Sequence, residues 1–354
     1  MRLIAQRPAG VTVRFMGGTK EKQQKTSRRG KATATKAVGK TAAKATVTFE
    51  HLLPKRISPS RASDYDQCPK LFYYKTILGL STPASVATCK GTLAHYAFEK
   101  IFDHPRDERT PENAILYVRQ HWEDLKNDPE YAPVVALGEE KVETMLLESE
   151  ELVKQWFSVE RPWNFDPQDR ELYVAAEAAG VSVHGYIDRV DTYTRSDGRK
   201  ALVISDYKTG KPPMYLPGKA VGSAEYYAQG STPGSSLSIS GPYIKKAFFG
   251  LNVYALLLWK TTGVMADKIR LIYVQRGRRE DVIHQTINES TLRSIEREIK
   301  KIWTNIVKDA KRGEYAPKPG PLCTWCHFEG ECPARNETLA GITILNRDGE
   351  PYPR

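Results

Sequence analysis

Cysteine is scarce, with five in 354 residues. An odd and small number disfavours a disulfide framework and leaves thiols for other uses. No apolar run reaches the eighteen or so residues that a membrane span requires, and no apolar signal core follows the basic start. A cytoplasmic, nucleoid-associated protein is expected, with organelle targeting by the N-terminus as the alternative. A phosphate-binding loop is missing too. "ATKAVGKT" approaches one, but Ala34 stands where its first glycine belongs and no strand precedes it, so an ATP-driven motor is not expected.

Acids are nearly absent from residues 1–47, where twelve Lys and Arg face Glu21 alone. That excess of +11 equals the formal net charge of the whole chain, so the remainder is balanced. "GKATATKAVGKTAAKATV" has almost no large apolar side chains and cannot bury enough surface to fold alone. A disordered basic tail is expected over 1–47. It gains counterion-release free energy on a phosphate backbone, which makes DNA its expected partner; a solvated or targeting segment is the competing reading.

The folded body is expected over 48–335, with a C-terminal tail at 336–354. Ser58 and Pro59 are cap and first-turn signals opening "SPSRASDYDQCPKLFYY". Helical apolar spacing continues through "KGTLAHYAFEKIF", 111–127 and 138–159. The pattern then turns to β in "ELYVAAEAAGVSVHGYIDRVDTYTR" and "KALVISDYKTG". Residues 211–243, rich in Gly, Ser and Pro, predict a long loop or lid. A helix at 244–261, strands near 268–275 and 281–287, and a helix at 289–312 complete an α/β body.

"VISDYKTG" places Asp206 and Lys208 on one strand face, because the side-chain period is two. The preceding strand carries Asp188 in "HGYIDRVD". A two-residue Asp197-Gly198 turn would set Asp188 opposite Tyr207, whereas a three-residue Ser196-Asp197-Gly198 turn sets it opposite Asp206. Two facing carboxylates repel unless a cation lies between them. Oxygen ligands favour Mg²⁺ or Mn²⁺, which polarises a phosphoryl oxygen and acidifies bound water. Lys208 would stabilise the added negative charge of the transition state. A surface hairpin with an Asp–Lys pair is the plainer alternative. Gly91, His95 and Glu99 share one helix face by their spacing of four, and Gly91 would admit a close backbone neighbour.

Cys323, Cys326 and Cys332, in "PLCTWCHFEGECP", can grip one ion or cluster, yet a closed thiolate site needs a fourth ligand.

These motifs resemble the RecB-like nucleases of the PD-(D/E)XK superfamily, in particular the iron–sulfur branch with the CRISPR-associated exonucleases and AddB-type nuclease domains. "SPSRASDYDQCPKLFYY", "GTLAH", "GYIDRVD", "DYKTG", a "YALLL" helix and C-x2-C-x5-C occur in the family's order, over about residues 57–333. The resemblance implies a restriction-endonuclease-like core, a central mixed sheet flanked by helices. It implies Cys68 as the fourth thiolate of a [4Fe–4S] cluster; a Cys₄ zinc site is the alternative, with Cys89 left as a buried thiol. It places metal ligands on His95, Asp188, Asp206 and the Tyr207 carbonyl, and the catalytic lysine on Lys208. Gly250 departs from the family's usual Gln, and Asn252 is a candidate replacement. The implied activity is metal-dependent DNA hydrolysis by an exonuclease on single strands or ends, 5′ to 3′, in recombination, repair, or phage or CRISPR DNA processing. An inactive DNA-binding module and an endonuclease are the rival readings.

Overall fold

The computed structural model describes residues 49–212, 215–216, 219–220 and 242–334. The expected basic tail, most of the expected lid and the C-terminal tail lie outside these residues.

Helix α1 (Pro59–Gln67) begins as its sequence requires, with the Ser58 hydroxyl accepting from Arg61 N and proline in the first turn. It stops at Cys68 because the following proline pushes that residue into extended backbone, φ −159° and ψ 114°. A short helix, Pro69–Phe72, and a wide π turn, Tyr73–Ile77, continue from the break. The continuous helix that Ser58 and Pro59 open is therefore interrupted at the Cys-Pro step, and Cys68 occupies the joint.

Three helices follow: α2 (Val86–Lys100), closed at its start by a Ser85–Thr88 capping box, α3 (Pro111–Leu125) and α4 (Glu139–Val159). The main sheet contains β1 (Asp169–Ala178), β2 (Val181–Thr194), β3 (Lys200–Lys208), β4 (Lys268–Tyr273) and β5 (Val282–Thr286), in that spatial order. Only the β3–β4 pair is parallel, and its crossover includes α5 (Pro242–Thr262). A last helix, α6 (Glu289–Arg312), is capped by Asn288 and ended by Gly313 at φ 71°. Within the expected lid, Tyr215–Leu216 pairs with Lys219–Ala220 as a short antiparallel ribbon.

Period-two alternation gives the sheet two apolar faces. Leu202, Ile204, Ile269 and Leu271 pack into the core shared with α1, α5 and α6. Tyr207 and Ile272 turn the other way, into the core shared with α2, α3 and α4. The protein is thus α/β, a mixed five-stranded sheet between helical layers. Among the described residues no helix is long and apolar enough to cross a membrane.

The β2–β3 turn has the three-residue form. Arg195 N donates to Arg199 O at 2.9 Å, and Gly198, at φ 82°, supplies the left-handed residue. The register from Thr194↔Lys200 to Arg189↔Ser205 brings Asp188 level with Asp206. The β1–β2 turn is tighter, with Ala179 at φ 56° and Gly180 at φ 78°, the signature of a type I′ hairpin.

Gly185 of β2 meets α5 at close range: a Cβ there would lie 2.5 Å from Cε1 of Tyr254. Gly185→Ala should displace this ring at a cost of about 1–3 kcal/mol. Thermal denaturation would read the change as a lower Tm, and an unchanged Tm would mean that α5 does not press on β2 there.

Candidate active site

Asp188, Asp206, Lys208 and His95 come from three elements and meet where β3 ends beside the middle of β2. His95 Nδ1 lies 3.4 Å from Asp188 Oδ2. The same oxygen accepts a hydrogen bond from Tyr207 N at 2.9 Å, so β3's backbone orients the carboxylate of β2. Lys208 Nζ lies 2.5 Å from Asp206 Oδ2, a close ion pair on a buried carboxylate.

A further carboxylate joins them. The β1–β2 register runs through Arg170↔Arg189 and Leu172↔Ile187, which sets Glu171 level with Asp188. Glu171 holds φ at +46°, a conformation that non-glycine residues rarely adopt. Arg170 beside it clips β1 to the end of α2, donating to Glu99 O and Asp103. Glu171 is exposed as a residue, yet the surrounding protein desolvates its carboxyl. With Asp188, Glu99 and Asp206 nearby, this pushes it up to about 7. Asp206 is pushed up to about 6, first by desolvation and then by Asp188, against the lowering charges of Lys208 and His95. Sequence motifs did not reveal Glu171. The signal was the Ala179-Gly180 turn, whose register leads back to it, but an alanine in the first left-handed position does not advertise such a turn.

Tyr254 of α5 closes the site from another side. Burial, then the charges of Asp206, Asp188 and Glu171, pushes its hydroxyl up to about 12. Asn252 turns elsewhere: its amide donates to Phe248 O at 3.0 Å and to Gln285 at 3.1 Å. Gly250 faces Cβ of Pro59 in α1, so this position packs helix on helix. Gly91 does admit a close neighbour, but it is the side-chain oxygen of Thr209 rather than backbone.

Behind the acids lies a buried ionic network. Arg189, 1% exposed, donates to both oxygens of Glu160 at 2.7 and 2.8 Å, to Asp191 at 3.0 Å and to the Tyr207 hydroxyl. Arg270 adds bonds to Ser205 and Asp191. Burial alone would raise the Glu160 carboxyl, but Arg189 and then Arg270 outweigh it and hold it at about 2.

The chemistry of the acidic row fits a divalent cation: hard oxygen donors, desolvated, with carboxyls raised by burial and by mutual repulsion. Among the described residues no three His, Cys, Asp or Glu side chains are already drawn to single-ion geometry, so an ion would have to tighten the row.

The four cysteines form a second locus. Cys68, Cys323, Cys326 and Cys332 line one cavity of about 390 Å³. Lys318 N donates to Cys68 Sγ at 3.4 Å and Gly320 N to Cys323 Sγ at 3.3 Å. Burial raises the Cys326 thiol, and the other three sulfurs add repulsion. This donor set suits a soft metal centre, although among the described residues no three of these thiols stand at single-ion geometry. Cys89 stands apart, fully buried and pushed by burial up to about 11. The α1 region is also joined to α6 and to the cysteine segment without any metal. The Tyr74 hydroxyl donates to Glu331 O at 3.0 Å, Lys318 Nζ to Asp66 O at 2.9 Å and the Tyr65 hydroxyl to Asp309 at 2.6 Å.

A cation entering the acidic row must compete with protons. Glu171 and Asp206 are held above their ordinary values, so in the ion-free protein these two groups favour the fold as pH falls from about 7 toward 4. Mn²⁺ binding near pH 6.5 should release roughly one proton, falling toward zero by about pH 8.5. Calorimetry in buffers of different ionisation enthalpy measures that number; a pH-independent value would mean that the ion displaces no proton from these two carboxyls.

No curated protein matches the chain. Among solved structures, a provisionally named exonuclease from Eubacterium rectale is 12% identical, with a TM-score of 0.45, over 82% of this chain and 93% of its own. A second, SSO0001, is 15% identical, with a TM-score of 0.32, over 81% of this chain and 93% of its own. The family match spans residues 56–333, from the residues leading into α1 to the proline after the last cysteine, and by it the chain belongs to the PD-(D/E)XK nuclease superfamily.

Proposed function

We propose that this protein is a metal-dependent DNA exonuclease of the RecB-like, iron–sulfur type, hydrolysing phosphodiester bonds from the ends of single strands, 5′ to 3′. The observation that carries this reading is the meeting of Glu171, Asp188 and Asp206 with Lys208 and His95 within a member of a nuclease superfamily.

Asp188, Asp206 and His95, with the Tyr207 carbonyl as a further oxygen, would hold Mg²⁺ or Mn²⁺. Bound there, the ion supplies Lewis acidity toward a phosphoryl oxygen and the attacking water. Tyr207 N keeps Asp188 turned inward. Lys208 places a positive charge where negative charge grows as the phosphorus adds its fifth oxygen. Half-buried Tyr254 and buried Tyr273 help to desolvate the row, which strengthens each of these charge interactions.

Lys208→Ala removes that charge but no metal ligand. Metal and DNA should bind nearly as in the wild type, while single-turnover cleavage falls by roughly 10²-fold or more. Asp206→Ala should abolish metal binding and cleavage together. Wild-type cleavage by the lysine variant would sink the mechanism, and nicking of closed circular single strands would make the enzyme an endonuclease.

Cys68, Cys323, Cys326 and Cys332 would hold a [4Fe–4S] cluster that adds to the tyrosine and lysine contacts joining the α1 region to α6 and the cysteine segment. Anaerobically purified protein should be brown, with about four irons per chain. Colourless protein with stoichiometric zinc would replace the cluster by a zinc site.

A further inference from the structure

Next to the acidic row, the β1–β2 hairpin exposes two large aromatic side chains. Tyr173 and Tyr186 are 44% and 55% exposed, pair directly across the strands, and hold their rings 5.2 Å apart. Each lies two residues along its strand from a carboxylate of the site: Tyr173 from Glu171 and Tyr186 from Asp188. At a strand's rise this is about 7 Å of backbone.

Neither ring belongs to either hydrophobic core, so the pair presents its faces outward beside the acidic row. The next row of β2 brings His184, whose ring centroid lies 6.0 Å from that of Tyr173. Among the described residues, neither nitrogen of His184 has a hydrogen-bond partner. Burial, and then the charges of Arg56 and Arg61, lower the pKa of this imidazole.

Cations border the same patch. The segment before α1 is tied to β2 by Ile57 N donating to Ser182 O at 2.9 Å and His184 N donating to Ile57 O at 3.1 Å. This anchors exposed Arg56, whose guanidinium donates to the Tyr173 hydroxyl at 3.3 Å. The acid Glu177 appears only at the far end of the hairpin, level with Ser182. Aromatic faces beside an anchored guanidinium, leading to a phosphodiesterase-type acidic row, match the needs of an unpaired strand: π faces for bases and positive charge for phosphates. A duplex keeps its bases stacked on one another and cannot use the rings in this way.

We infer that Tyr173 and Tyr186, with Arg56, form the track on which unpaired DNA is held as it enters the active site, its bases stacked on the two rings. The assignment rests on the nuclease reading and adds to it the surface that selects single strands over duplex.

The test uses the full chain in EDTA, at ~0.3 M salt to screen the basic tail's contribution. Fluorescence anisotropy follows a labelled oligo(dT) and, separately, a blunt duplex. The Tyr173→Ala/Tyr186→Ala double variant should bind oligo(dT) roughly 10–100-fold more weakly, with duplex affinity within about twofold of wild type. The Tyr173→Phe/Tyr186→Phe variant keeps the rings and should bind oligo(dT) as wild type does. Both pairs are exposed, so their melting temperatures should match wild type. Unchanged oligo(dT) affinity in the alanine variant, equal loss on duplex, or failure of phenylalanine to rescue would each overturn the track. Wild-type cleavage with Mn²⁺ is scored separately. A protein that cleaves DNA but binds oligo(dT) without need of the tyrosines loses the track and keeps the nuclease reading; one that binds through the tyrosines but cleaves nothing keeps the track and loses the nuclease.

Discussion

Carboxylates crowded on neighbouring strands repel one another, and here a buried guanidinium of the same sheet helps to fix where they stand. Arg189 follows Asp188 directly in β2, so fixing one orients the other. Its bonds to Glu160, Asp191 and the Tyr207 hydroxyl tie α4, β2 and β3 together. Tyr207 in turn carries the amide that holds Asp188. An unpaired buried guanidinium would be costly, so this network admits only arrangements in which Glu160 and Asp191 remain beside it. The rings of Phe165 and Tyr207 lie within cation–π distance of the guanidinium.

Charge is therefore divided between two neighbouring groups. Glu160 and Asp191 are neutralised by Arg189 and Arg270. Glu171, Asp188 and Asp206 have Lys208 and His95 beside them, and burial with their mutual repulsion still raises Glu171 and Asp206. The strained backbone at Glu171 belongs to this same row, where backbone cost is tolerated because the neighbouring ladder and Arg170 hold it. The cysteine cavity repeats the theme with softer donors, drawing one sulfur from the break after α1 and three from the segment beyond α6.

Much of this architecture was legible because local chemistry and global fold agree. Ser58-Pro59 starts α1, Asn288 and Gly313 bound α6, and the Gly198 turn sets a register that can be counted by hand. Long helices with a clear apolar stripe were readable to within a few residues. The interruption at Cys68-Pro69 was implicit in the proline, but helical spacing on either side concealed it. Glu171 was not legible from motifs, since nothing in "ELYVAA" marks a residue as a neighbour of "GYIDRVD" except the length of the intervening hairpin.

Sequence alone determined what depends on near neighbours: the caps, the turn conformations, the alternation that puts Asp206 and Lys208 on one strand face, and the pool of thiols and carboxylates. Tertiary structure decided which of these meet. It set His95 beside Asp188, directed Asn252 toward Gln285, placed Thr209 against Gly91, and brought Cys68 to a cavity shared with residues more than 250 positions later. The physical reason is that hydrogen-bonding and dihedral preferences act over a few residues. Desolvation, charge repulsion and cavity shape arise only when distant segments pack, and those three properties are what make the acidic row and the thiol cavity chemically distinctive.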